Sequence, residues 1–257
     1  MSIYATEITS DTEPSDNPIH QRLLKAYVIA RDVVHGDLLE VGCGEGRGIG
    51  LLIDRVTSFT AIDKIDEALA GLRKQWPQGT FISGNIPPFG GLPDNAFDTV
   101  ISFQVIEHIQ DDTAFLREIH RVLKPGGKAW LTTPNRPMSL TRNPWHIREY
   151  TGPELLKLAA SIFSKAEMKG IGGNEKVMAY HEENRQSVRR FTRWDIFNLQ
   201  YRLPASLLRI PYEILNRLNR KNLKQGNEHL VSGITHEDYP VMDTSAGALD
   251  LLLMVEK

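Results

Sequence analysis

The chain has 257 residues, 41% of them hydrophobic and 24% charged, with a formal net charge of −2. This is the composition of a globular protein with enough apolar residues for a sizeable core, and it offers no global basic field for nucleic acid. A single cysteine, Cys43, excludes an intramolecular disulfide and a cysteine-based zinc site. No apolar run is long enough to span a membrane. Met1 to Pro18 lacks the basic and apolar regions of an export signal. A cytoplasmic protein is therefore expected.

Residues 1–18 are polar and acidic and read as a flexible lead-in. Ile19 to His35 carries apolar residues at helical spacing. A short strand, Asp37 to Val41, stops at the glycines Gly42, Gly44 and Gly46, and a helical pattern follows through Val56. Strands are expected at Ser58–Ile62, Thr80–Ser83, Phe97–Phe103 and Lys128–Thr133, with helices at Asp66–Gln75 and Ala114–Leu123. Lys124-Pro-Gly-Gly127 should stop the last helix, with a glycine free to form a left-handed cap. Thr151 suits a helix cap before Pro153. Strand–helix alternation of this kind predicts an α/β fold, a Rossmann-like doubly wound sheet. Residues 166–172 and the apolar run Ala248 to Glu256 complete seven strands. The stretch between them does not read as α/β, so a helical insertion before the last strand is expected. The organisation is then a lead-in at 1–18, a core at 19–180, a basic helical insertion at 181–230 and a return to the core sheet at 231–257.

Glu40-Val-Gly-Cys-Gly-Glu-Gly46 sits at a strand-to-helix turn. The first such crevice of a doubly wound sheet is where nucleotide-like ligands bind. A P-loop would need GxxxxGK[ST], which is absent, and the dinucleotide pattern GxGxxG fails because Arg47 stands at its last position. What remains is GxGxG preceded by an acid. Glu40 would repel a pyrophosphate but can accept from a cationic amine. Asp63, ending the next strand, can accept from both hydroxyls of a ribose or can cap the following helix.

Four ordered stretches carry a resemblance: Glu40 to Gly46, Ala61-Ile-Asp63, Phe97 to Phe103 with Glu107-His108, and Val122 to Gly127. Together they resemble the class I S-adenosylmethionine-dependent methyltransferases, in the small-molecule group that includes the ubiquinone and menaquinone type. The resemblance covers residues 37–135. It implies S-adenosylmethionine as cofactor, with Gly42, Gly44 and Gly46 against its methionine part and Glu40 beneath the turn. It implies Asp63 on the ribose, Lys64 or Ile65 beside the adenine, Asn85 near the adenine amino group and Ile86 packed on the purine. Asparagine at 85 departs from the usual aspartate, but its carbonyl oxygen still accepts. Gln104 would face the methionine end or the entering acceptor. Cys43 inside the loop reads as a small packing residue, and His108 as structural or helix-starting.

Methyl transfer from a sulfonium is an in-line displacement with an excellent leaving group, so alignment and exclusion of water do most of the work. A base matters when the acceptor is a hydroxyl or a protonated amine. The candidates are His146 and Glu149, in the loop after the fifth strand. Histidine has an unperturbed pKa of about 6.5, and Glu149 can orient it or substitute for it. The alternative for His146 is a packing role against Trp145.

From Arg185 to Gln225 there are ten basic residues against Asp195 and Glu213, a local +8 that leaves −10 for the rest of the chain. Phe191, Trp194, Phe197, Tyr201 and Tyr212 are interleaved with the arginines. Three readings stand: a lid over the active site, a contact through 185–225 with an anionic or lipid-linked acceptor or a membrane surface, and a single-stranded nucleic acid site. The acidic remainder argues against nucleic acid. The expected activity is methyl transfer to a small-molecule or glycan/lipid-linked acceptor, at oxygen rather than carbon or nitrogen. The rivals are a non-catalytic cofactor-binding module acting through its basic insertion, and a nicotinamide-dependent dehydrogenase. No metal site is expected, and the pattern sets no oligomeric state.

Overall fold

The computed structural model describes residues 14–193 and 199–257. Most of the lead-in, and with it Trp194, Asp195 and Phe197, lies outside the described residues. Helix α1 (Asn17–Arg31) leads into β1 (Asp37–Val41), then α2 (Ile49–Leu52), β2 (Ser58–Asp63), α3 (Asp66–Gln75), β3 (Thr80–Ser83), β4 (Phe97–Phe103), α4 (Asp112–Val122), β5 (Leu123–Pro134), α5 (Gly152–Ala160) and β6 (Lys165–Ile171). Among the described residues, helices α6 (Glu175–Thr192), α7 (Leu199–Arg202), α8 (Ala205–Gly226) and α9 (Glu228–Gly233) follow. The short β7 (Val241–Met242) and β8 (Asp250–Glu256) end the chain.

The strands form one sheet in the order β3-β2-β1-β4-β5-β8-β6-β7. Pairing is parallel from β3 to β5, and β8 runs antiparallel between β5 and β6. Among the described residues the expected seven strands are therefore eight. The extra one is the two-residue β7, which pairs with Gly170 and Ile171 at the edge. Two residues carry no alternating pattern, so periodicity alone does not reveal such a strand.

Strand alternation divides the core into two layers. Leu38 joins Tyr27 and Ala30 of α1, Ile49 of α2 and Leu69 of α3 on one side of the sheet. Leu39 and Val41 join Phe115, Leu116 and Ile119 of α4 and Leu155 of α5 on the other. The spacing of those residues in α4 makes one apolar face, and Asp111 caps the helix by accepting from the Ala114 N–H at 2.9 Å. Leu251, Leu252 and Leu253 are all buried, which only a strand covered on both faces allows. Leu223 of α8 and Leu230 of α9 pack against the first layer, so the insertion packs onto the core.

One local expectation fails. No glycine caps α4, whose chain leaves through Leu123 in an extended conformation and enters β5 at once. The register shifts between Phe97 and Thr99, and Gly126 takes φ +77° within this irregular start of β5. Lys124 is held there by Asp37 and Asp98 at 2.8 and 2.7 Å. Pairing with β4 wins over a helical cap at this point.

At the other end of β5, the buried Asn135 side chain donates to the Ser245 and Ala248 carbonyls at 2.9 and 2.7 Å. It ties the loop after β5 to the loop before β8. Asn135→Ala removes both bonds and should destabilise the fold by about 2–4 kcal/mol. Urea unfolding of the two proteins checks this, and an unchanged midpoint would rule out the tie.

Candidate functional site

The chain leaves β1 to build β2 and β3 on one side, then returns to β4 on the other. The crevice at the carboxyl ends of β1 and β4 is the place where such sheets bind ligands. Gly42 to Gly46 leave β1 here, and Gln104 leaves β4 beside them.

Gly42 has φ +81°, and a Cβ there would lie 2.4 Å from Val105 Cγ2. The residue is glycine for both reasons. Gly44 has φ +52°, but a Cβ there would meet nothing within 4 Å. Its side of the loop faces open space, which a ligand can approach closely. Asp63 Oδ2 accepts from the Gly44 N–H at 2.8 Å, and Oδ1 accepts from the Ile65 N–H at 3.0 Å. The carboxylate at the end of β2 thus holds the glycine turn, and each oxygen keeps a lone pair for a further donor.

Glu40 is buried beneath that turn. Its Oε1 accepts from the Tyr27 hydroxyl at 2.7 Å, while Oε2 is buried with no hydrogen-bond partner. Burial pushes the Glu40 carboxyl up to about 7, against the opposing effect of the Tyr27 bond. Burial also holds the Tyr27 hydroxyl well above its ordinary range. The same cause raises the Cys43 thiol far above the thiol range, so Cys43 is a packing residue and no nucleophile.

A cavity of about 370 Å³ opens over the glycine loop, within the range of small-ligand sites. Gly42, Gly44, Gln104, His146 and Glu149 all line it, so the structure brings these expected residues to one cleft. Gly46 packs against Ile49 and Leu72. The exposed Lys64 and Asn85 and the half-buried Ile86 lie outside the lining of this cavity. Gln104 takes φ +57°, rare for a side-chain-bearing residue, and its side chain donates to Thr132 Oγ1 at 3.3 Å. Burial pushes up the carboxyl of Asp250, whose Oδ2 pairs with Arg22 at 3.3 Å.

The loop after β5 supplies the far wall. His146 Nδ1 lies 2.6 Å from Glu149 Oε1, and the Asn143 amide nitrogen lies 2.9 Å from His146 Nε2. Asn143 Oδ1 accepts from the Trp145 N–H at 3.0 Å, which fixes the amide orientation so that Nδ2 donates to the ring. Neutral His146 therefore carries its proton on Nδ1 and its lone pair on Nε2. The Ile147 and Arg148 N–H groups donate to the Glu107 carbonyl at 2.8 and 3.2 Å, which pins the loop against the turn after β4.

Sequence reasoning did not give Glu107 a role. Its side chain is buried, accepts from Thr133 Oγ1 at 2.9 Å and is pushed up to about 7, chiefly by burial. His108 also lines the cavity, its ring 4.9 Å from that of His146. The signal available was an acid–histidine pair directly after a strand at the ligand edge. Beside Tyr180, the insertion lines the cleft with His181 and Asn184 of α6 and Tyr212, Asn216 and Asn219 of α8. Arg209 of α8 lies 4.1 Å over the Trp145 ring, and Arg142 donates to the Gln200 carbonyl at 3.0 Å. The insertion and the His146 loop are therefore fastened together.

The raised Glu40 group gives a pH signature. Its folded pKa of about 7 exceeds its ordinary 4.5, so the fold holds the proton longer than the unfolded chain. That contribution is fully present below pH 4.5 and is lost as pH rises to about 7, on the order of 3 kcal/mol. Glu40→Gln should flatten this part of the stability profile, as read by urea unfolding between pH 4.5 and 7.5. Equal slopes in the two proteins would show that Glu40 is ionised throughout.

Comparison with known proteins accords with this geometry. Residues 39–131 match the methyltransferase-domain family. A protein of Mycolicibacterium smegmatis named a probable S-adenosylmethionine-dependent methyltransferase is 39% identical over 127 residues, 48% of this chain and 49% of the relative. The ubiquinone biosynthesis O-methyltransferase of Xanthomonas oryzae is 32% identical over 134 residues, 49% of this chain and 56% of the relative. The chain thus spans about half the length of these curated relatives. A methyltransferase structure from Thermotoga maritima superposes with a TM-score of 0.59 over 93% of this chain and 92% of that one, at 14% identity. That likeness is one of fold. The loop, the switch-point crevice and the matched sequence agree: residues 39–131 are a methyltransferase domain of the class I S-adenosylmethionine-dependent family.

Proposed function

We propose that this protein transfers a methyl group from S-adenosylmethionine to a hydroxyl of a small-molecule or glycan/lipid-linked acceptor. The observation that carries the reading is one cleft with two walls. The glycine loop forms one, and the His146–Glu149 pair, 2.6 Å apart, forms the other. The open side of Gly44 and the orphaned buried Glu40 Oε2 suit a ligand with a cationic amine, which the methionine part of the cofactor supplies. Asp63 has the lone pairs to take the ribose hydroxyls, and Lys64, after β2, with Asn85 and Ile86, after β3, would flank the adenine.

The bound cofactor contributes an electrophilic methyl on a sulfonium. The chain contributes alignment and dryness. His146 would meet the acceptor hydroxyl with Nε2 once the hydroxyl displaces the Asn143 amide that donates there at 2.9 Å, and Glu149 fixes the ring by accepting from Nδ1–H. Transfer to oxygen is favoured because carbon acceptors need no such pair, and one relative is named an O-methyltransferase.

The insertion is proposed as the lid that admits the acceptor. Its α8 lines the cleft with Tyr212 and Asn216 and turns Leu207, Ile210, Ile214 and Leu218 outward, each at least half exposed. An apolar stripe on a basic segment fits the surface of an anionic bilayer, from which a lipid-linked acceptor would come. Among the described residues no helix is long and apolar enough to cross a membrane, so the contact would be peripheral.

Calorimetry with S-adenosylmethionine and S-adenosylhomocysteine tests the cofactor. Micromolar binding of both is expected, and Asp63→Ala should weaken it more than tenfold through lost charge-assisted bonds. His146→Ala should lower turnover by about 100- to 10,000-fold with cofactor affinity intact. Absence of cofactor binding would sink the reading. In sedimentation with phosphatidylglycerol vesicles, wild type should pellet and Ile210→Asp/Ile214→Asp should not; equal pelleting would remove α8 as the contact.

A further inference from the structure

The faces that α6 and α8 turn toward the cleft are polar. Tyr180 and Asn184 lie four apart on α6, and Tyr212, Asn216 and Asn219 lie four and three apart on α8, so each set is one stripe on its helix. On α8 the usual arrangement is reversed. Leu207, Ile210, Ile214 and Leu218 point outward, at least half exposed, whereas Asn219 is only 5% exposed. Burying an amide is unfavourable unless its hydrogen bonds are made, so an inward amide stripe calls for partners.

Part of that need is met inside the insertion. Asn219 Oδ1 accepts from the Ser187 hydroxyl at 2.6 Å, and Asn219 Nδ2 donates to Asn184 Oδ1 at 2.7 Å. Asn219 therefore ties α8 to α6 and fixes the Asn184 amide, leaving Asn184 Nδ2 as the group still to be satisfied. Neither Asn184 Nδ2 nor either end of the Asn216 amide has a partner among the described residues. Both residues are half-buried and line the cleft.

This wall is also uncharged, although the insertion is basic. Burial, with Arg22 and Arg185 nearby, holds His181 below the ordinary histidine range, so it is neutral at physiological pH. Arg22 and Arg220 line the cleft but are paired with Asp250 and Asp16 at 3.3 and 3.2 Å. Arg47 belongs to the glycine loop and contacts His20. Arg185 is paired with Glu182, and Arg209 is stacked on Trp145. An anionic acceptor would need unpaired cations here, and a flat phenolic one an apolar slot with few polar groups. A sugar presents several hydroxyls that each donate and accept, beside apolar C–H faces. Amides offer both donor and acceptor, and Tyr212 adds an aromatic surface.

We propose that the methyl acceptor is a neutral glycosyl unit, whose hydroxyls are bound by Asn184 and Asn216, with Asn219 as the positioning residue behind Asn184. The inference rests on the proposed methyl transfer and narrows its acceptor. One sugar hydroxyl faces His146 across the same cleft while its neighbours are held by the amide wall. That oxygen bonds to the methyl carbon as its proton passes to His146 Nε2. The carbon–sulfur bond breaks with its electron pair remaining on sulfur. One sulfonium and one alcohol become one thioether, one ether and one proton.

The test uses the full chain with S-adenosylhomocysteine bound. Saturation-transfer NMR is recorded with the methyl glycosides of glucose, mannose, galactose and rhamnose, and with catechol as a phenolic probe. Saturable binding of at least one glycoside, tighter than that of catechol, is expected, and that glycoside should be methylated from S-adenosylmethionine. Asn184→Ala and Asn216→Ala should each raise its KM about 3- to 10-fold, as for one lost neutral hydrogen bond, with kcat nearly unchanged. Asn219→Ala should shift KM the same way without touching the acceptor. Cofactor affinity should stay unchanged in these variants, which also shows that they fold. Should the buried Asn219→Ala fail to fold, the two half-buried positions carry the test. No binding of any glycoside, tighter binding of catechol, or a KM indifferent to Asn184 and Asn216 overturns the sugar site. If catechol is methylated instead, methyl transfer stands and the glycosyl acceptor falls. Loss of cofactor binding in wild type is the separate failure of the methyl transfer reading.

Discussion

Two neighbouring strands must send the chain in opposite directions, and the rest of the molecule follows from that. β1 and β4 lie side by side and parallel, with Glu40 paired to Ile101. What leaves β1 crosses toward β2, and what leaves β4 crosses toward β5. No connection covers the gap between their ends. Only glycine can turn tightly enough at Gly42 without striking Val105, and the turn still needs a partner for its amides. Asp63 provides one by accepting from Gly44, so the carboxylate that suits a ribose also sets the shape of the loop. A loop held from below by an acid and left open above is the structural condition for a cofactor to approach its backbone.

The glycine loop also explains the chemistry under it. Strand alternation puts Glu40 on the α1 face of β1, where Tyr27 reaches one of its oxygens. The second oxygen is buried and orphaned, an unfavourable state that persists only where something offsets it. A carboxyl raised to about 7 is neutral or charged at little cost at physiological pH, so it responds to whatever charge arrives above it.

The parallel half of the fold was legible in the residues. β4 and α3 fall where their patterns place them, because each is a regular run bounded by strong stop signals. The start of β5 was not, since Lys124-Pro-Gly-Gly127 looks like a helix terminus and only the pairing of Leu123 with Phe97 makes it a strand. β7 is too short to have a period. At the site, the resemblance pointed to the glycine loop and Asp63, and loop position pointed to His146 and Glu149. Glu107 escaped, because its place beside His146 depends on backbone bonds across the gap between two loops. A residue read as a helix-starting histidine, His108, turns out to share the cleft for the same reason. Long-range adjacency of this kind leaves no mark in local pattern.

The matched segment and the unmatched remainder divide the cleft between them. Residues 39–131 build the glycine wall and supply Gln104, Glu107 and His108, α1 adds Ile19 and Tyr27, and His146, Glu149 and the lining residues of α6 and α8 come later in the chain. Arg209 stacked over Trp145 and Arg142 bonded to Gln200 fasten the insertion to the very loop that carries His146. An acceptor entering beneath α8 would therefore press on the same scaffold that orients the His146 ring. A displacement of α8 would reach the His146 loop through these two contacts. On the proposed reading, acceptor specificity and alignment of the base would then share one structural origin, in the half of the chain that these relatives do not match.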